Sequence, residues 1–184
     1  IKASACSIIV DPADIDPLSL DRVDAILITH DHFDHFDEGI VRGIYKANKC
    51  LVVCDQGTAE SLSGVIPSDD LVAVDVGDSV DVKTARVYVE KSEHDSPTAV
   101  SYVIDLGNGI VIYHSSDSAP FPGMRKIGRT YKPDVAFCAI GDAPGLSPRS
   151  GAEVAELISP KLAIPYHGSK LTEFVRLASR KGIR

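Results

Sequence analysis

No apolar run in this 184-residue chain reaches the roughly 18–20 residues that a membrane-spanning helix needs. The longest candidates, at 23–29 and 110–113, have the length of strands. The opening stretch 1–7 lacks the order of charged, apolar and small residues that marks a secretory signal. A soluble cytoplasmic protein is therefore the expectation. Positive charge is also short: 19 Lys and Arg stand against 26 Asp and Glu, a net charge of −7. The cations are scattered, with only a loose gathering at 176–184, and nucleic-acid binding normally leaves a concentrated basic footprint. Cysteine is sparse, and Cys6, Cys50, Cys54 and Cys138 form no C-x-x-C pair of the metal-binding kind. They read as reduced, buried, small hydrophobic residues. There is no Pro, Gly or Ser linker long enough to divide the chain and no internal repeat, so one domain over 1–184 is expected.

What is present is a globular composition, 44% hydrophobic and 24% charged. Runs rich in Val and Ile predict strands at 6–10, 24–30, 51–55, 71–76, 80–90, 98–106, 110–114, 135–140 and 162–166. Leu106, Gly107, Asn108 and Gly109 between two of them signal a hairpin, because Gly and Asn tolerate positive φ. Helical spacing of apolar residues predicts helices at 37–48, 58–64, 124–131, 151–158 and 171–181. The alternation suggests two sheets packed together and covered outside by helices.

Three of the six histidines, His30, His32 and His35, fall within six positions, directly after the apolar run 24–29. A loop leaving a strand end can turn several side chains toward one point. Imidazole nitrogen and carboxylate oxygen are ligands for Zn, Mn or Fe, and one residue cannot satisfy a cation alone. His94 follows another strand-like run after a few polar residues. His114 and Asp117 follow 109–113, and His167 follows 162–166. Each candidate thus sits just past the end of an apolar strand, where scaffolded sites commonly gather.

His30-Asp31-His32-Phe33-Asp34-His35 resembles the HxHxDH signature of the metallo-β-lactamase superfamily. His94, Asp117 and His167 fit the order of its later ligands. Within that superfamily the chain is most similar to small metal-dependent hydrolases related to ascorbate-6-phosphate lactonase. Tyr113-His114-Ser115-Ser116-Asp117-Ser118 looks like their Y-H-x-G-D-T segment, Ile9-Val10-Asp11-Pro12 like their early I-D-P segment, and Ile164-Pro165-Tyr166-His167 like their P-x-H. The sequence opens inside what corresponds to the second strand of that fold, so the first strand is expected to be absent. Position 116 is Ser where the family has Gly, which predicts a differently shaped Asp117 loop. The long insertions that form substrate lids in larger members are missing.

The resemblance implies an α+β fold, an αββα sandwich of two mixed sheets flanked by helices. It implies two divalent metal ions, zinc first, with manganese or iron as alternatives. His30, His32 and His94 would hold one, Asp34, His35 and His167 the other, and Asp117 would bridge them. His114 is left over, as a donor to substrate or to a ligand, or as a structural residue. The implied reaction is hydrolysis by a hydroxide shared between the metals, with Asp34 orienting it or taking its proton. An ester, lactone or similar bond of a small substrate, phosphorylated or not, is the first reading. A phosphodiesterase or nuclease of the same superfamily is the second, and a non-catalytic metal-binding or interaction protein the third. No nucleic-acid partner and no membrane span are expected, and a homo-oligomer is compatible with the sequence.

Overall fold

The computed structural model describes residues 1–3, 5–141 and 144–184. Their strands fall into two sheets, with five α-helices among the described residues. None of these helices is long and apolar enough to cross a membrane. Residues 1–89 with 96–100 form one compact unit, and residues 90–95 with 101–184 form a second.

The first unit is built on β1 (Ile8–Val10), β2 (Ala25–Ile28), β3 (Leu51–Asp55) and β4 (Leu71–Val74), hydrogen-bonded in that order. All three pairings are parallel. Parallel strands are covered on both faces, so they read as unbroken apolar runs, and every residue of β2 is buried. Between β2 and β3 runs α1 (Glu38–Asn48), which the Asp37 side chain caps by accepting from Ile40 N–H at 2.8 Å. Val41, Ile44 and Tyr45, spaced three and four apart, form its buried face. They pack with Ile26, Ile28, Val52 and Cys54, and with Leu62 of α2 (Gln56–Leu62). Register places Val10 beside Leu27 and Ile28 beside Cys54, so β1, β2 and β3 end level with one another. The loops leaving those ends carry the first group of histidines.

The strand expected at 80–90 is instead a hairpin of β5 (Ser79–Val82) and β6 (Ala85–Lys91). Val82 pairs with Ala85 across Lys83 and Thr84. Lys83 takes a left-handed φ of 55°, and a lysine gives no turn signal of the kind Gly or Asn would.

The second unit contains β7 (Val100–Asp105, from Ser101 on), β8 (Val111–His114), β9 (Val135–Ala139) and β10 (Leu162–Tyr166), in the order β10-β9-β8-β7. β7 and β8 are antiparallel through the expected Gly107–Gly109 turn, while β8, β9 and β10 run parallel. Its helices are α3 (Met124–Tyr131), α4 (Pro148–Ile158) and α5 (Leu171–Arg180). α4 starts three residues before the expected position, because Ser147 and Ser150 close a reciprocal capping box and Pro148 fits the first turn.

α3 and α4 touch at Gly128, where a Cβ would stand 2.2 Å from the carbonyl oxygen of Ile158. Backbone cannot yield there as a side chain would. Gly128→Ala is expected to push the helices apart and cost about 3 kcal/mol, the upper part of the range for overpacking. Urea unfolding followed by circular dichroism measures this, and an unchanged midpoint would show that the helices separate freely.

Candidate metal centre

The chain leaves β2 at Thr29 and enters a tight turn in which His35 N–H and Phe36 N–H both donate to the His32 carbonyl, at 2.9 and 2.8 Å. The turn folds His30, His32 and His35 onto one another. The His30 ring centroid lies 4.6 Å from that of His32 and 4.2 Å from that of His35. His30 and His35 are buried, whereas Asp34 is exposed and Phe33 stands 88% exposed.

Asp11, one residue past β1, organises this group. Its Oδ1 accepts from Thr29 N–H at 2.8 Å, and its Oδ2 accepts from the Thr29 hydroxyl at 2.9 Å and from His35 Nδ1 at 2.8 Å. The Thr29 hydroxyl, its hydrogen committed to Asp11, accepts in turn from His30 Nδ1 at 2.9 Å. Both imidazoles therefore carry their proton on Nδ1, and each offers Nε2 as its lone-pair donor. Metal-ligating histidines are oriented in this way by a carboxylate or hydroxyl behind them. Asp11 holds a left-handed φ of 48°, a conformation that Asp and Asn adopt more readily than other side chains. Its role was not foreseen from sequence. The signal available was the I-V-D-P segment, which marked the position but not its partners.

In the second unit the donors again lie at strand ends. β8 runs out into Ser115, Ser116 and Asp117, and Asp117 is buried. Ser116 takes φ 53°, a left-handed geometry that Gly adopts more readily than Ser. Tyr166 Oη donates to the Ser116 carbonyl at 2.8 Å and braces it. His167, just past β10, also has positive φ, 52°. Its Nδ1 donates to the Gly141 carbonyl at 2.6 Å, while its Nε2 stands 3.6 Å from Asp117 Oδ2. Close approach makes this possible: a Cβ at Gly168 would lie 3.1 Å from Gly141 N. His94 is tied to the same loop through its neighbour Glu93, whose N–H donates to Ser118 Oγ and whose carbonyl accepts from Ala119 N–H, both at 2.9 Å. His94 Nε2 lies 3.1 Å from Asp95 Oδ1.

His30, His32, Asp34 and His35 in the first unit, and His94, Asp117 and His167 in the second, all belong to groups able to hold a metal ion. His114 stands apart from them in chemistry. It is buried, its Nδ1 accepts from Ser116 N–H at 3.3 Å, and its ring lies 4.8 Å from that of Tyr166. The donor set is nitrogen and oxygen only, which suits zinc, manganese or iron. The thiols take no part. Burial pushes Cys50 up to about 11 and Cys54 and Cys138 up to about 12, far from the ionised form a metal would bind.

Residues 6–168 match the family described as "Beta-lactamase superfamily domain". The chain belongs to the metallo-β-lactamase superfamily. Its relatives include a UPF0173 metal-dependent hydrolase of Caldivirga maquilingensis, 34% identical over 169 residues, covering 87% of this chain and 73% of the relative. Another, from Chloroflexus aurantiacus, is 33% identical over 155 residues. That match covers 78% of this chain but only 63% of the relative's length. Among solved structures, the metallo-β-lactamase fold protein YhfI of Bacillus subtilis superposes with a TM-score of 0.70 at 12% identity, over 88% of this chain and 71% of its own. That likeness establishes the fold, the α+β class expected from the sequence.

Proposed function

We propose that this superfamily member is a metal-dependent hydrolase of small ester- or lactone-like substrates, with the two donor sets acting as one dinuclear centre. The observation that carries the reading is the pair of hydrogen bonds that anchor Nδ1 of two buried histidines, His35 on Asp11 and His30 on the Thr29 hydroxyl that Asp11 itself holds, leaving Nε2 of each as the lone-pair atom. A solvated polar turn needs no such orientation. The relatives' printed names, metal-dependent hydrolases, support the same reaction class. His30, His32 and His94 would hold one divalent ion, Asp34, His35 and His167 the second, and Asp117 both. Such ions, when bound, would lower the pKa of a water and polarise the bond to be broken.

The remaining work falls to side chains. Asp34, exposed beside its buried neighbour His35, can orient the attacking water and receive its proton. Asp11 fixes the tautomers of His30 and His35, and Gly141 fixes that of His167. His114 accepts at Nδ1 from Ser116 N–H, which puts its proton on Nε2; in this reading His114 assists the substrate and does not hold an ion. The net charge of −7 and the scattered cations favour a small substrate over a nucleic acid.

Elemental analysis of protein purified without chelator, combined with a screen of lactones, esters, thioesters and phosphodiesters, tests the reading. Two metal equivalents and lactone or ester turnover, lost with chelator and restored by zinc or manganese, are expected. Fewer than one equivalent after reloading would sink it. Turnover confined to phosphodiesters and falling steeply with salt would replace it with the nuclease reading. His114→Ala is expected to retain both metals and lower kcat about tenfold; loss of a metal equivalent would make His114 a ligand.

A further inference from the structure

His94 is carried on a short segment held at both of its ends along the chain. On one side Glu93 is fixed by Ser118 and Ala119. On the other side lie Ser96 and Thr98, whose contacts serve no purpose yet assigned. Ser96 Oγ donates to Asp31 Oδ1 at 3.1 Å, and Asp31 is the residue between His30 and His32. Thr98 Oγ1 donates to Asp55 Oδ2 at 2.5 Å, and the same carboxylate oxygen accepts from Gly57 N–H at 3.1 Å. Val100 N–H then donates to the Thr29 carbonyl at 2.9 Å. Three successive tethers thus stitch 96–100 to the end of β3 and to the 29–31 stretch.

Asp55 is an unusual residue to find at this place. It is fully buried at the end of β3, level with the point where the chain leaves β2. Burial pushes its carboxyl above the ordinary carboxylate range, and the hydrogen bonds it accepts, that from Thr98 among them, pull the other way. Capping the seven-residue α2 would be served as well by an exposed Asp or Ser without that desolvation cost. A buried carboxylate aimed at a hydroxyl on a separate segment fixes a distance instead. Gly57 leaves room for it: a Cβ there would come within 3.0 Å of Thr98 Oγ1 and 3.3 Å of Asp55 Oδ2.

We infer that Asp55 and Thr98, with Asp31 and Ser96, form a latch that positions the segment leading from His94, the residue proposed above as a metal ligand. Asp55 and Thr98 are positioning residues, acting on the ion only through the backbone of 94–98. The inference rests on the reading of His94 as a ligand. Outer residues that orient ligands typically change metal affinity by about 10- to 100-fold.

Thr98→Val keeps the shape of the side chain and removes only the hydroxyl. Zinc affinity measured by chelator competition is expected to fall at least about tenfold for one of two ions. With cobalt(II) in place of zinc, the visible bands of that one site are expected to shift. Thr98→Ser, which restores the hydroxyl, is expected to recover both readouts. A purely structural role would lower the unfolding temperature of the metal-free protein and leave zinc affinity and the cobalt spectrum at wild-type values, and that result overturns the latch. Should Thr98→Val not fold, Ser96→Ala decides, with a loss of about threefold expected and wild-type affinity overturning the inference. His94→Ala separates the two levels. If it loses one ion while folded Thr98→Val binds as wild type, only the latch is wrong; if it keeps both ions, the ligand reading fails and the latch with it.

Discussion

Asp117→Asn is expected to weaken both metal ions together and to lower turnover by at least about a thousandfold. Asparagine preserves size, so the defect must come from the lost charge. Two dications about 4 Å apart repel by about 16 kcal/mol at an effective dielectric of about 20, four times the value for unit charges. In the proposed centre Asp117 is the carboxylate common to both ions, and its burial keeps water from screening in its place. Asp34→Asn should differ, because Asp34 is assigned to one ion and to the attacking water. It is expected to empty a single position. Calorimetric titration of zinc into each variant distinguishes them, with urea unfolding of the metal-free proteins as the control for folding. Two ions bound by Asp117→Asn as tightly as by the wild type would reduce Asp117 to a loop carboxylate that merely stands close to His167.

Asp11 is expected to give the second large effect, and its two substitutions should separate stability from metal binding. Asp11→Ala leaves three donors without their acceptor: Thr29 N–H, the Thr29 hydroxyl and His35 Nδ1–H. At about 1–3 kcal/mol for each buried group left unsatisfied, a loss of about 3–9 kcal/mol is expected in the metal-free protein. Asp11→Asn is milder in shape, since asparagine also tolerates the left-handed backbone at this position. Its amide can keep the bond from Thr29 N–H, but the group then facing His35 is a donor. His35 can keep a partner only by moving its proton to Nε2, the atom assigned to the metal. Zinc affinity is therefore expected to fall about 100-fold with about 1 kcal/mol of stability lost. Chelator competition and urea unfolding on the same samples measure the two separately. Equal losses in both would mean that Asp11 supports the fold and nothing more.

The residues of the first group were legible because one loop holds them all. His30, His32 and His35 span six positions, and their rings gather in the structure; Asp34 was marked only by the resemblance to the superfamily signature. β3 and β10 have the bounds expected from their apolar runs; four of the five residues of β3 are buried, whereas β10, with only Ala163 buried, is apolar along an edge strand. What could not be read depends on contacts distant in sequence. Asp11 meets His35 across 24 positions and Asp55 meets Thr98 across 43; no local pattern announces either. The β5–β6 turn was missed for a different reason, because Lys83 adopts a conformation that its side chain does not advertise. Ser116 takes a left-handed backbone that its side chain does not announce either, with Tyr166 bonded to its carbonyl.

The buried thiols give each unit its own clock. Cys54 lies in the first unit and Cys138 in the second, both inaccessible and both with a pKa of about 12. At pH 8 such a thiol is ionised to about one part in ten thousand, so an alkylating reagent reaches it only when the surrounding strand opens. Mass-spectrometric labelling of the two cysteines therefore times the opening of each unit independently within one molecule. Zinc that slows both to a common rate has fused them into one cooperative body. Zinc that slows Cys54 alone has bound to the first unit and left the second to breathe by itself.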